Sequence, residues 1–466
     1  MPHPQERINM RPFNFRASLV TLAVASAFLP LHWAQAGGFA LIEQSGSGLG
    51  NAYSGSAAAA EDASTIYFNP AGMTLLPMGR QISVAGHLIL PSSSFNNRGS
   101  TGATLFGAPS ANSSGGDAGM NAVVPNGYFA MALSSNLRFG VGLNVPFGLG
   151  TEYASDWIGR FQGVKSELMA LNINPALSWK LNDRVSLGFG LNYQSIDAEL
   201  TSKTNYAAAV FSSTGSLAAA TAIATAGQAE GMSRLKGNDT SWGWNAGAMF
   251  QLSPQTRLGV AYRSRIKYSV EGTATFENRP AALAAALPDG NIKLDISMPD
   301  SLSFALSHAL NDRWQVLADA TWTGWSVLEY FEVVRTNNIP ISGATLQKIP
   351  YHWRNTWRVG VGANYRMNDA WMLKGGIAFD QTPTNDTDRG VRLPDGNRTW
   401  MSIGAKRRIS NAGTLDIGYA HLFVKDPTVI SNAGGVSSNS TAAYALVNGQ
   451  YDASVDILSV QYTHRF

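Results

Sequence analysis

The stretch Asp456-Ile457-Leu458-Ser459-Val460-Gln461-Tyr462-Thr463-His464-Arg465-Phe466 decides how the rest of the chain is read. Asp456, Leu458, Val460, Tyr462, His464 and Phe466 fall on one side of an extended chain and Ile457, Ser459, Gln461, Thr463 and Arg465 on the other. Successive side chains of a strand point to opposite faces, so this alternation predicts a strand with one largely apolar face and one largely polar face. An aromatic final residue inside such a strand is the pattern of barrels that close in an outer membrane.

The same period of two recurs upstream. Leu258, Val260, Tyr262, Ile266 and Tyr268 alternate with Arg257, Gly259, Ala261, Arg263, Arg265 and Lys267. A strand buried in a soluble sandwich would not point these cations into its core, whereas a strand between lipid and a watery lumen does so at no penalty. Leu302, Phe304, Leu306 and Leu310 repeat the pattern, as do Trp357, Val359, Val361 and Tyr365. Fourteen strands are predicted, at 81–90, 124–134, 136–148, 165–181, 184–204, 240–252, 255–277, 291–310, 312–335, 353–367, 370–380, 398–409, 413–425 and 452–466. Tight turns at Ser135-Asn136, Asn182-Asp183, Pro254-Gln255, Asn311-Asp312, Asn368-Asp369 and Asn411-Ala412 alternate with much longer connections. Short periplasmic turns and long outer loops produce this alternation, and an even strand count suits closure. The fold expected is therefore all-β, a fourteen-stranded antiparallel transmembrane barrel over 78–466. Trp179, Trp314, Trp357 and Trp371 at strand ends suit the two membrane interfaces.

The start of the chain agrees with an envelope location. Arg7, Arg11 and Arg16 precede an apolar stretch from Ala17 to Leu31 and a small-residue site Ala34-Gln35-Ala36, so residues 1–36 read as a secretory signal. That stretch is shorter than the ~20 residues of a spanning helix. Residues 37–77 are rich in glycine, serine and alanine and too weakly patterned for a domain of their own; a wide barrel has an open lumen for such a segment to fill as a hatch.

Other chemistries are poorly supplied. A net charge of +3 with 14% charged residues offers no field for nucleic acid, and the absence of cysteine removes disulfides and thiolate metal sites. Gly46-Ser47-Gly48-Leu49-Gly50 lacks the strand and helix of a dinucleotide fingerprint, and Asn385-Asp386-Thr387-Asp388 lacks the ligand series of a calcium loop, so neither a cofactor nor a metal is expected. His308, His352, His421 and His464 leave a barrel lipase as a rival, but a triad is a matter of geometry that spacing does not supply. A water-filled general porin is a further rival, disfavoured by an occluding hatch. The loops Tyr206–Gly231 and Pro280–Leu287 are rich in alanine with scattered large apolar residues, consistent with short helices that pack together or border a greasy ligand.

The run from Gly37 to Gly55, Gly-Gly-Phe-Ala-Leu-Ile-Glu-Gln-Ser-Gly-Ser-Gly-Leu-Gly-Asn-Ala-Tyr-Ser-Gly, continues into Glu61-Asp62-Ala63 and Asn69-Pro70-Ala71-Gly72. Further on come Val145-Pro146-Phe147-Gly148-Leu149-Gly150-Thr151-Glu152-Tyr153, Trp242-Gly243-Trp244-Asn245-Ala246-Gly247, Tyr262-Arg263-Ser264 and Gly376-Ile377-Ala378-Phe379-Asp380. Together these resemble the FadL family of outer-membrane transporters across nearly the whole chain after residue 36. The resemblance implies a passive carrier of long-chain fatty acids or other hydrophobic molecules, with aromatic hydrocarbons as the alternative substrate. It places Asn69, Pro70 and Ala71 in the hatch, Phe39 beside a lumen site, and a lateral gap at an inward kink of the third strand. Proline lacks a ladder donor and glycine permits unusual backbone angles, so Pro146, Phe147 and Gly148 are the residues expected at that gap. Arg263, Arg265, Lys267 and Lys348 are the candidate partners of a carboxylate headgroup; beyond Tyr193, where fatty-acid-transporting relatives can carry a basic residue after an acidic one, this chain reads Glu199-Leu200. Membrane lipid and, through Phe466, the outer-membrane assembly machinery are the expected partners besides the ligand.

Overall fold

The computed structural model describes residues 38–103, 114–337, 343–432 and 445–466; the signal read at 1–36 lies outside the described residues. Fourteen antiparallel wall strands follow one another around a closed barrel. They are β1 (Arg80–Asn97), β2 (Ala122–Ala132), β3 (Leu137–Glu152), β4 (Lys165–Lys180), β5 (Val185–Asn205), β6 (Glu230–Gln251) and β7 (Thr256–Arg263, then Ile266–Phe276). The second half comprises β8 (Gly290–Met298, then Ser301–Ala309), β9 (Trp314–Thr323, then Tyr330–Arg335), β10 (Thr345–Pro350, then Thr356–Arg366), β11 (Trp371–Asp380), β12 (Arg398–Arg408), β13 (Gly413–Val424, then Thr428–Asn432) and β14 (Leu446–Arg465).

Closure is made by β14 against β1, paired from Gln81↔Arg465 to Asn97↔Gly449. With no free edge, the wall's backbone groups find partners inside the sheet, which is what allows strands to stand in hydrocarbon. The alternation read at the chain's end is kept. Leu458, Val460 and Tyr462 are exposed to the outside, while Ile457, Ser459, Gln461 and Thr463 are buried within. Ile173, Leu177, Phe189, Val361, Ile403 and Ile417 continue the outward apolar surface around the wall.

Several strands run further outward than their sequence pattern suggests: β1 extends to Asn97, β6 begins at Glu230, and β10 has an outer segment Thr345–Pro350. Above the bilayer the outward face of the wall meets water and not hydrocarbon, so nothing requires an outward apolar residue at every second position there. The two loops with apolar residues form helices at Tyr206–Thr214 and Leu217–Thr225 and a short turn of helix at Ala281–Leu283, and Tyr206, Val210 and Leu283 pack together.

Residues 38–77 sit inside the wall, with Leu49, Ala52, Ile66, Ala71, Met73 and Asn69 fully buried. Three short α-helical turns, Gly46–Leu49, Ser56–Ala59 and Thr65–Phe68, and a 3-10 turn at Pro70–Leu75 are the regular elements of this segment. Asn69 braces it: its Oδ1 accepts from the Ala71 amide at 3.1 Å, and its Nδ2 donates to Ala57 O at 2.8 Å and to the wall at Ala248 O at 3.1 Å. Gly247 is needed at that point, since a Cβ there would lie 2.0 Å from Asn69 Oδ1. A second tie is ionic, with Glu61 held by Lys374 at 2.7 Å and Lys406 at 2.5 Å. Burial alone would raise the Glu61 carboxyl, but the two ammonium groups hold it well below its ordinary range.

Candidate functional site

The wall is interrupted between β2 and β3. Their ladder runs from Ala132↔Arg138 only as far as Gly127↔Leu143, although β2 continues to Ala122 against β1. On its other side β3 slips register against β4 between Asn144 and Phe147, which leaves Val145 and Pro146 opposite Leu171. Residues 144–151 are buried along their whole length, so β3 bends into the lumen here. The freed edge of β3 is taken by the hatch: Leu41 N donates to Pro146 O and Gly148 N to Phe39 O, both at 2.9 Å, around an antiparallel bridge Ala40↔Phe147. Higher up, Gly119 and Thr151 form a bridge that bounds the opening. Pro146 accounts for the break, because it offers no amide to β2 at the position where the ladder would continue.

Behind this window lies a cavity of about 160 Å³, bordered by Ile42, Tyr67, Pro146, Phe147, Arg263 and Trp325 among others. Asp319, Asp380 and Arg358 line it too. Toward the outer loops a second cavity of about 260 Å³ is bordered by Lys348, Ile349, Tyr351, Trp353, Arg392 and Leu393. An aromatic cluster stands between the two. Phe39 lies 4.9 Å from Trp325, 5.6 Å from Trp353 and 6.0 Å from Phe147, and Trp325 lies 5.1 Å from Trp353, all between ring centroids. Phe39 is thus the hatch residue at the septum, held there by backbone bonds to the bent strand.

A ladder of amides supports the inner face beside the window. Asn172 donates to Asn144 at 3.1 Å and to Asn192 at 3.0 Å, and Asn192 and Asn174 both donate to Asn245, at 3.1 and 3.0 Å. Arg263 joins it by donating to Asn192 Oδ1 at 2.7 Å and to Tyr67 O at 3.0 Å, its guanidinium lying over the Tyr67 ring.

The candidate headgroup partners are not all brought to the lumen. Arg263 and Lys348 border the inner and outer cavity respectively, Lys348 ion-paired to Glu332 at 2.9 Å. Arg265 is turned outward and pairs with Asp300 at 3.5 Å, and Lys267 is exposed. The cause is a bulge at Ser264-Arg265: between the pairs Asn245↔Arg263 and Asn238↔Glu271, six residues of β6 face seven of β7. One extra residue exchanges the two faces, so Ile266 and Tyr268 point inward and the cations above do not. Glu199 also departs from expectation. It stands on the outer face, 3.5 Å from Arg234 and 3.9 Å from Lys236, whereas Leu200 is buried in the apolar cluster that contains Phe39. Trp325, Trp353 and Arg392 border the cavities without having been singled out; they lie near strand breaks and in connections, where no period marks them. Among the described residues, His352 and His421 bond to carboxylates and His87 to Ser459, but none of these joins a serine and an acid as a triad does.

The chain is 27% identical to the long-chain fatty acid transport protein of Escherichia coli K12, over 86% of this chain and 91% of that one. It is 32% identical to a putative outer membrane protein of Neisseria meningitidis serogroup B, covering 98% of this chain and all of that one. Among solved structures, a FadL homologue of Pseudomonas aeruginosa superposes with a TM-score of 0.81 at 25% identity, covering 92% of this chain and 100% of that one. The family described as outer membrane protein transport protein (OMPP1/FadL/TodX) matches residues 29–466, and the chain belongs to it, an outer-membrane barrel of a transport family and not an enzyme.

Proposed function

We propose that this protein carries long-chain fatty acids or other hydrophobic compounds across the outer membrane without an energy source of its own. The ligand enters the outer cavity between the loops, passes the Phe39 septum when the hatch tip shifts, occupies the inner cavity, and leaves sideways between β2 and β3 into the bilayer. The observation that carries this reading is the window itself: the β2–β3 ladder stops at Gly127↔Leu143 while Pro146 and Phe147, on the bent strand, border the inner cavity. A lateral exit suits greasy molecules in particular. Leaving through the periplasmic end would expose them to water at about 0.8 kcal/mol per CH₂, whereas the wall exit delivers them to hydrocarbon.

The relative from E. coli is named for long-chain fatty acids, which favours an acyl chain. A specific observation favours the aromatic alternative: the inner cavity, at about 160 Å³, is close to the ~150 Å³ that holds benzene in an engineered core. An acyl chain would therefore have to extend across both cavities. Outer-membrane lipid receives the ligand, and Phe466, whose backbone pairs with Arg80, is the residue the assembly machinery would read. Uptake of labelled oleate and labelled toluene by cells lacking their own transporter tests the reading. Accumulation of one or both is expected, and uptake of neither would overturn it.

A further inference from the structure

The cations around the cavities are, with few exceptions, already neutralised. Lys348 is paired with Glu332, Arg358 with Asp319, Arg389 with Asp386, and Arg398 with Asp395. Arg263 has no acid on it, yet it lies over the Tyr67 ring and shares its cavity with Asp319 and Asp380, which would repel an entering anion.

Arg392 differs from all of these. It is 5% exposed, and its Nη1 donates only to neutral oxygens: Lys165 O at 3.2 Å, Ser166 Oγ at 3.1 Å and Thr201 O at 3.1 Å. Its Nε is buried with no partner among the described residues. The segments outside the described residues contain no acid beyond Glu6, so sequence offers no counter-ion there either. Burial presses the guanidinium down to about 10, which leaves it cationic at neutral pH. An uncompensated buried charge is costly, and the cost is relieved when a carboxylate supplies the missing charge together with acceptors for the free donors. Around it the outer cavity presents Ile349, Tyr351, Trp353 and Leu393 as apolar lining for a tail, and its one lining carboxylate among the described residues, Asp388, is engaged by His352 and Asn385.

Resting on the transport reading, we infer that Arg392 is the recognition point for a carboxylate headgroup, so that the outer cavity selects long-chain monocarboxylates over neutral molecules of equal length. The planar fork of arginine matches a carboxylate as an ammonium does not. The tail then points past Trp353 toward the septum. The same connection ties back to the hatch, because Asp395 Oδ2, three residues on, accepts from the Gly38 amide at 2.9 Å.

The test is equilibrium binding of radiolabelled dodecanoate and dodecanol to the purified full-length barrel at pH 8, with folding checked by heat-modifiable migration. Wild type is expected to prefer dodecanoate on the order of tenfold. Arg392→Met should bring dodecanoate down to the affinity of dodecanol while leaving dodecanol within about twofold. Arg392→Lys keeps the stem and charge but loses the fork, and should show a reduced, surviving preference; it carries the test should the methionine variant not fold. Equal binding of the two ligands by wild type, or an unchanged preference in the folded variants, overturns the assignment and leaves the transport reading standing. Binding of neither ligand by wild type overturns this inference, and the transport reading falls with it only where oleate and toluene uptake are both absent as well.

Discussion

Glu43 is a carboxylic acid placed in the hatch with nothing to hold. It is fully buried, neither carboxyl oxygen has a partner among the described residues, and only its backbone oxygen is used, by Asn126. Burial pushes its carboxyl up to about 7, against the opposing pull of Arg398 and Arg358. The folded value lies above the ordinary one, so the hatch's stability from this group is full below about 4.5 and is lost as pH rises through about 7. The difference corresponds to about 3 kcal/mol at most. Protection factors of the amides in residues 41–44, which correct for the base-catalysed rise of intrinsic exchange with pH, should therefore be lower at pH 8 than at pH 5, and Glu43→Gln should remove the difference by restoring protection at pH 8; a mutant that keeps the wild-type dependence would assign it to another group. Legibility at this scale is uneven. Phe39, Asn69 and Pro146 could be picked out because their family motif or backbone chemistry marks them. Trp325, Trp353 and Arg392 could not, since a connection has no period and a missing counter-ion is a property of three dimensions. The faces assigned to Arg265 and Lys267 failed for a simpler reason: a one-residue bulge is invisible in a run that alternates on both sides of it.

At the scale of elements, the strands that meet lipid were legible, as were the outer reaches of β5, β7, β8 and β9, whereas those of β1, β6 and β10 were not, because only hydrocarbon demands an apolar residue at every second position. β14 is legible from residue 452 onward, although the strand begins at Leu446, and it closes the barrel, Phe466 N donating to Arg80 O at 2.9 Å. Removing Phe466 should reduce the folded, heat-modifiable fraction in the outer membrane, and unaltered assembly would show that closure needs no help from this residue. β3 is the element with two roles. Its lower half pairs with β2 as wall, and its upper half leaves the wall to border the inner cavity. Replacing Pro146, Phe147 and Gly148 with Thr-Val-Thr restores an amide donor and favours regular pairing. The straightened protein should insert normally and bind ligand at the outer cavity, with oleate uptake falling severalfold. Uptake at the wild-type rate through a third strand shown to be regular would exclude the lateral route.

The whole molecule couples three things that are separate in the sequence: the hatch tip at Phe39–Leu41, the bent strand at 146–148, and the aromatic septum between the cavities. Pairing of Ala40 with Phe147 joins them, because the hatch takes the hydrogen bonds that β2 gives up and carries Phe39 into the cluster as it does so. On the proposed route, passage of a ligand through the septum requires this short two-stranded contact to open, while Asn69 and Glu61 tie the body of the hatch to the wall. The two backbone bonds flank Ala40 and Phe147 as a pair that does not itself exchange bonds, a geometry with Cα atoms about 4.5 Å apart and within disulfide range. The chain has no cysteine, so Ala40→Cys with Phe147→Cys provides a single defined cross-link. Oxidised, the double variant should fold and still bind ligand in the outer cavity, but its uptake should fall by on the order of tenfold or more if a step requiring some 1.4 kcal/mol or more of opening is blocked. Reduction should restore uptake in the same cells, which separates the lock from any effect of removing the Phe147 ring. If oxidised and reduced protein transport equally well, the hatch tip does not move during transport, and the ligand must reach the window by a path that leaves the septum closed.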